Sequence, residues 1–246
     1  MIGAAEPVAK AYAEELARHG VSIIFVTRDH SSIRDTAATV SQSYGVEAVV
    51  ILADFSLDQA AGNLIKEAMR DKDIGFLVNC VESVASPQSL VEMPEQSLLD
   101  LVNKNVAVAT LMTRLVLPGM LERSRGAVVN ISSGACAKPL PGRVTLTAST
   151  GYMDHFSRAL HLEYSGNGIF VQSLTPFQIA SSERQPSSSS TPGWFVPKPE
   201  VYARHAVSTL GVSNRTTGYW PHTLQYGLMT RIPEWIWVLG SRVLIS

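Results

Sequence analysis

The chain has 246 residues, with 20 Lys+Arg against 21 Asp+Glu and a formal net charge of −1. That length supports one large α/β domain with a core of its own, and the missing basic excess argues against an electrostatic nucleic-acid binder. Hydrophobic residues make up 46% and charged ones 17%, the reverse of a disordered chain, while two cysteines, Cys80 and Cys136, exclude a disulfide scaffold or a cysteine-rich zinc site.

The hydrophobic periodicities alternate along the chain. Val8 to His19 is predicted as a helix, with Val8, Ala11, Tyr12 and Leu16 on one face and Gly20 as its stop. VSIIFV (21–26) reads as a strand buried on both faces. Ser31 to Tyr44 follows as a helix with Ser31 at its N-cap, and VEAVVILAD (46–54) as a second strand. Leu57 to Arg70 is helical, gathering Leu64, Ile65, Ala68 and Met69, and IGFLVN (74–79) is a third strand. From Pro94 a long helical stretch runs toward Glu122, with Pro118 expected to break it near its end. GAVVNIS (126–132) is a fourth strand, Ala148 to Tyr164 a helix and IFVQSL (169–174) a fifth strand. Strands alternating with helices imply right-handed crossovers, hence a Rossmann-like doubly wound parallel sheet in a single domain, residues 1–246.

Two segments stand apart from this alternation. Residues 178–199 hold SSSS (187–190) with Pro186, Pro192, Pro197 and Pro199, and are expected to be a mobile loop able to cover a ligand crevice. Residues 222–246 form a hydrophobic tail, and IPEWIWVLGSRVLIS (232–246) carries Trp235 and Trp237. Docking on the domain or pairing with a second subunit is expected ahead of a membrane interface.

ISSGACAKP (131–139), followed by an apolar helix opening at TAST (147–150), resembles the catalytic half of a short-chain dehydrogenase/reductase. The whole chain from Gly3 onward can be laid on that family. The resemblance is greatest to its 17β-hydroxysteroid dehydrogenase and 3-ketoacyl-CoA reductase branch. AKAYAEELA (9–17), DHFSRAL (154–160), GIFVQSL (168–174), HAVSTLG (205–211) and TTGYW (216–220) are most similar to a member of that branch already regarded as inactive.

The resemblance implies an NADP(H) cofactor at the first βα turn, where a TGxxxGxG pattern lets backbone N–H groups approach a pyrophosphate. The matching stretch here is IGAAEPVA (2–9): Gly3 is kept, the second glycine is Pro7 and the third is Ala9. Proline removes a donor but suits a helix start, so binding of the cofactor is expected to be poor. The catalytic step in the family uses a Tyr thirteen residues after a Ser, and a Lys four residues later; from Ser133 these counts land on Leu146 and Thr150. Leucine has no proton to donate and threonine no charge to lower a partner's pKa. Tyr152 points about 120° away from the Leu146 face. With Phe156 and Ala159 it is expected to form a core stripe, and His155 to be solvated.

Other positions match the family unevenly. Asn105 matches the Asn that anchors a relay water, so Ser133 and Asn105 remain as catalytic remnants. Arg28 matches the residue that pairs with a 2′-phosphate, Asp54 an adenine contact, and Asn79 the first Asn of an NNxG element whose Gly is Glu82. Pro176 keeps half of a PG element, and Ser181 stands where a Thr meets the carboxamide. The expected function is therefore a catalytically inactive short-chain dehydrogenase/reductase-like protein that binds a ligand or a protein. The alternative is a weakly active NADP(H)-dependent oxidoreductase on a steroid or 3-ketoacyl-CoA type substrate.

A homodimer or a protein partner is expected, a steroid or acyl-CoA-like ligand is implied by the resemblance, and neither nucleic acid nor metal is. No run of about 18 apolar residues appears, and MIGAAEPVAK has neither a basic n-region nor a long apolar h-region. The resemblance implies a mitochondrial location, with the endoplasmic reticulum membrane as the alternative. Family members begin with a strand ending at the glycine turn, and Met1 falls where that strand finishes. The sheet is thus expected to lack its first strand, and the monomer to be poorly stable.

Overall fold

The computed structural model describes residues 1–3, 6–27, 31–53, 59–70, 72–80, 87–180 and 193–243. Helix α1 (Pro7–Arg18) leads into β1 (Ile23–Thr27), α2 (Ser31–Tyr44), β2 (Ala48–Leu52), α3 (Gln59–Ala68) and β3 (Phe76–Cys80). α1 starts with a proline in its first turn and ends where Gly20 takes φ +81°. The Gly20 and Val21 N–H groups return to the carbonyls of Ala17 and Leu16, closing the helix in a Schellman turn that only glycine enters without strain.

The long helical stretch holds α4 (Glu95–Val102), a π-helical turn (Asn103–Val108) and α5 (Ala109–Glu122). Pro118 lies inside α5 and does not end it, because the helix continues to Glu122. The irregularity falls earlier, at the π turn. β4 (Gly126–Ile131), α6 (Val144–Tyr164) and β5 (Ile169–Leu174) follow. After the partly described loop come α7 (Pro199–Ser208), β6 (Arg215–Thr216), α8 (Trp220–Arg231) and α9 (Glu234–Val243).

All strand pairings are parallel and form two blocks, β1–β2 and β3–β4–β5–β6. Between the blocks stands one rung. Ile2 bridges in parallel to Val26 of β1 and to Asn79 of β3. Its N–H donates to the Val78 carbonyl at 2.8 Å, and its own carbonyl accepts from Cys80 at 3.2 Å. Met1 meets β1, with its carbonyl accepting from Val26 at 2.9 Å. The main chain of Met1 and Ile2 thus joins the two blocks at the carboxyl end of the sheet.

Helices cover both faces of the sheet. Tyr12, Leu16, Ile33, Val40, Tyr202 and Ala206 pack on one side, bringing α1, α2 and α7 against it. Met112, Val116, Leu117 and Met120 of α5 pack on the other with Val128 and Val171. Burial of this extent is the principal stabilising term of the fold. Among the described residues no helix is long and apolar enough to cross a membrane. The tail folds as α8 and α9, and the Trp237 indole N–H donates to the Pro139 carbonyl at 2.7 Å.

Candidate functional site

In parallel α/β sheets ligands meet the carboxyl ends of the strands. Here that edge gathers the turn after Ile2, the end of β3 at Asn79 and Cys80, the Ser132–Ser133 segment after β4, and Thr175–Pro176 after β5. Gly3 makes the turn with φ +71°, and a Cβ there would collide with the Cys80 carbonyl oxygen. Glycine is thus required at this position. Pro7 occupies the first turn of α1, where its missing N–H leaves that helix end one donor short. Ala9 is fully buried.

The two positions that the resemblance aligns with the family's Tyr and Lys hold groups that pack. α6 opens after the Arg143 N-cap, earlier than expected, and so carries both Leu146 and Thr150. Leu146 is 5% exposed and packs with Ala109, Met153 and Phe156. Thr150 is fully buried and its hydroxyl donates to the Thr147 carbonyl at 3.0 Å. Neither side chain is available to move a proton. The Ser133 hydroxyl, half-buried, accepts the Ala135 N–H at 3.2 Å and caps the short 3₁₀ turn Gly134–Ala137. Pro176 contributes its carbonyl, which accepts from Gly134 N–H at 2.7 Å.

Asn105 lies in the π turn, 1% exposed, with its amide 3.4 Å from the Ser149 hydroxyl. That hydroxyl donates to the Leu146 carbonyl, so Asn105 faces the segment of α6 that carries Leu146. Tyr152 is a correction. It is 38% exposed, shares a hydrogen bond with the Thr110 hydroxyl at 2.8 Å and stacks on Phe156. Six residues on from Leu146, the helical turn carries it off the buried face, which is instead lined by Leu146, Ser149, Thr150, Met153, Asp154 and Ser157. His155 is exposed, as expected. Arg28, Asp54, Glu82 and Ser181, with most of the 178–199 segment, lie outside the described residues.

Several buried polar groups carry no signal in the sequence pattern. Asn79 donates to Asn130 at 2.8 Å, and Asn130 to Ser157 at 2.8 Å, tying β3 and β4 to α6. Asp154 accepts from Ser173 at 2.7 Å and from both ends of the Arg215 guanidinium at 3.0 Å. Burial alone would raise its carboxyl; hydrogen bonds from Arg215 and Ser173 and the charges of Arg215 and Arg158 outweigh burial and hold it below the ordinary value. The Cys136 thiol is pushed up to about 11, first by burial and then by Asp154. It is therefore a thiol and not a nucleophilic thiolate. His222 is fully buried, its Nδ1 accepting from Phe177 N–H at 3.3 Å and its Nε2 lying 3.2 Å from the Phe195 carbonyl. An accepting Nδ1 places the proton on Nε2 and keeps the ring neutral, and burial lowers its pKa.

The model of the family described as short chain dehydrogenase matches residues 1–192. The chain belongs to the short-chain dehydrogenase family. It is 54% identical over 243 residues to the Danio rerio protein named inactive hydroxysteroid dehydrogenase-like protein 1, spanning 98% of this chain and 76% of that one. The Homo sapiens protein of the same name is 48% identical over 244 residues, with 98% and 74% covered. A very-long-chain 3-oxoacyl-CoA reductase of Anas platyrhynchos is 37% identical over 234 residues, with 94% and 74% covered. Among solved structures, a 7beta-hydroxysteroid dehydrogenase superposes with a TM-score of 0.86 at 22% identity, covering 98% of this chain and 94% of that one. A short-chain dehydrogenase from Sphingobium yanoikuyae in complex with NADPH gives 0.76 at 23% identity, with 95% of each chain covered. These two likenesses establish the fold.

Membership of the short-chain dehydrogenase family implies a nicotinamide dinucleotide, and the described residues fit it at one point and fail at another. The Gly3 turn keeps the backbone shape that a close approach requires, and the Asn79 side-chain oxygen Oδ1 is buried with no hydrogen-bond partner among the described residues. The pyrophosphate position does not fit. There the first turn of α1 presents the Pro7 ring in place of an N–H.

Proposed function

We propose that this chain is a catalytically inactive short-chain dehydrogenase/reductase-like protein whose role is to bind a ligand or a protein. One observation carries the reading. At the two positions that the family resemblance aligns with its Tyr and Lys, Leu146 is committed to apolar packing and the Thr150 hydroxyl to a main-chain carbonyl. Loss of a general acid removes about 10²- to 10⁴-fold in rate, and the neighbouring candidates among the described residues are engaged elsewhere. Tyr152 is turned toward Thr110, and His222 is neutral and held by main-chain partners. The relatives named inactive at about half identity support the same conclusion.

The test is purified chain incubated with NADP(H) and steroid or 3-ketoacyl-CoA substrates, alongside calorimetric titration with NADPH. The expected result is no turnover above a heat-killed control and no saturable binding at micromolar cofactor. Turnover overturns the proposal. Micromolar binding with turnover selects the weakly active NADP(H)-dependent oxidoreductase.

A steroid or acyl-CoA-like molecule is the ligand class the resemblance suggests, and a homodimer through the long helical stretch at residues 95–117 is the corresponding assembly. A strictly monomeric sedimentation profile argues against that assembly. A mitochondrial location rests on the resemblance alone; fractionation with the endoplasmic reticulum instead would replace it.

A further inference from the structure

His222 ties together two stretches of chain that are distant in sequence. It lies in the first turn of α8, fully buried, and its two ring nitrogens face different partners. Nδ1 meets the Phe177 N–H at 3.3 Å, where the chain leaves β5, and Nε2 meets the Phe195 carbonyl at 3.2 Å. Close by, the Ala180 N–H donates to the Pro197 carbonyl at 2.9 Å, joining the same two stretches through main chain alone. Of these two ties, only the imidazole can be altered by a proton.

The Phe177 side of the tie reaches the candidate site. Its ring lies so close over Gly134 that a Cβ there would sit 2.8 Å from it. Beside it, the Pro176 carbonyl accepts the Gly134 N–H at 2.7 Å. Gly134 follows Ser133 and opens the short turn that the Ser133 hydroxyl caps. The rings of His222 and Tyr226 pack on Phe177, with centroids 5.9 and 6.4 Å away. The seat of the Ser133–Gly134 turn is thus a residue whose N–H is held by one imidazole nitrogen.

A proton on Nδ1 turns that nitrogen from acceptor to donor. The Phe177 N–H then faces another N–H and loses its partner, whereas the bond from Nε2 to Phe195 persists. Main-chain bonds to Phe195 and Gln178 both favour the cation, so carbonyl oxygens stand ready for the charged ring. Burial opposes the charge and keeps the ring neutral above the acid side of the imidazole range. The other titratable groups that meet the ring are the phenols of Tyr202 on α7, at 5.9 Å, and Tyr219, at 5.2 Å. His205 meets Tyr219, and on the side of Phe177 the paired Arg215 and Asp154 stand behind Tyr226.

We propose that His222 is a proton-operated clasp. Neutral, it fixes the exit of β5 to Phe195; protonated, it releases the Phe177 N–H and loosens the Ser133–Gly134 turn while remaining bound to Phe195. One hydrogen bond thereby makes the candidate site respond to pH, and the sheet beneath it stays folded.

The test is nuclear magnetic resonance of the isotope-labelled chain, following the His222 ring nitrogens and amide hydrogen exchange from neutral pH down to about pH 5. Exchange rates are corrected for their intrinsic pH dependence. As His222 takes up its proton, protection of the Phe177 and Gly134 amides is expected to fall at least about tenfold. Val128 and Val129, fully buried in β4, keep theirs over the same range. His222→Gln, which has no proton to gain, holds all these amides level, and His205→Gln leaves the parent response in place. Should His222→Gln fail to fold, comparing Phe177 and Gly134 with Val128 and Val129 in the parent chain still decides. Protonation of the ring with no change at Phe177 overturns the proposal, and so does a ring that stays neutral down to about pH 5. A fall at Phe177 that stops short of Gly134 overturns the link to the candidate site. A loss shared by Val128 and Val129 also overturns it, because His222 then supports the whole fold and not one turn.

Discussion

Leu146 tests whether the position aligned with the family's catalytic Tyr is now structural. With 5% exposure and contacts to Ala109 and Met153, it makes the contacts of a core residue. Leu146→Ala is therefore expected to cost about 2–5 kcal/mol in urea unfolding. A loss below about 0.5 kcal/mol, the range of surface substitutions, would show that the position faces an open site.

His222 sets a pH dependence at the same scale. Its folded pKa lies below the ordinary 6.5 because burial penalises the cation, with the main-chain bond to Phe195 only partly opposing. Below about pH 6.5 the unfolded chain then binds more protons than the folded one. Stability is thus fully present above that pH and declines as the pH falls toward the folded value. His222→Gln, which can accept from Phe177 and donate to Phe195, is expected to flatten the slope below about pH 6.5 in a series of urea midpoints. Neither residue's role was fully legible beforehand. Counting from Ser133 located Leu146, but no spacing marks His222 as buried. Its partners lie 45 and 27 residues away and meet it only through tertiary packing.

At the scale of elements, apolar runs located the central strands well because they are buried: IFVQSL is β5 residue for residue. Where polar residues flank a run, as Glu47 does at β2, the strand is shorter than the pattern. Asn79 and Asn130 could not be paired in advance. Their bond depends on the register that sets them opposite one another across β3 and β4. The long helical stretch shows the opposite failure, a strong local signal overruled. Pro118 is exposed within α5 and is tolerated there, while the departure from α geometry comes at Asn103–Val108, which holds no Pro or Gly. A π turn inserts a residue and re-aims side chains, and here it contains the buried Asn105. Since proline in a helix interior costs about 3 kcal/mol relative to alanine, offset by about 1 kcal/mol of unfolded-chain entropy, Pro118→Ala is expected to stabilise the protein by about 1–2 kcal/mol. A higher urea midpoint with unchanged m-value is the readout.

For the whole molecule, the division of the sheet outweighs any single residue. The β1–β2 block is joined to the other four strands through the main chain of Met1 and Ile2 and through the two apolar clusters that draw residues from both blocks, one with α1 and α2 and the other with α5. β4 and β5, by contrast, pair along six residues and are flanked by strands on both sides. Local opening free energies follow such differences in hydrogen bonding and packing. Hydrogen exchange should therefore resolve two tiers, with amides of Phe25 and Val50 exchanging faster than those of Val128 and Val171. Uniform protection across both blocks would mean that helix packing and the Met1–Ile2 rung suffice to make the sheet cooperative.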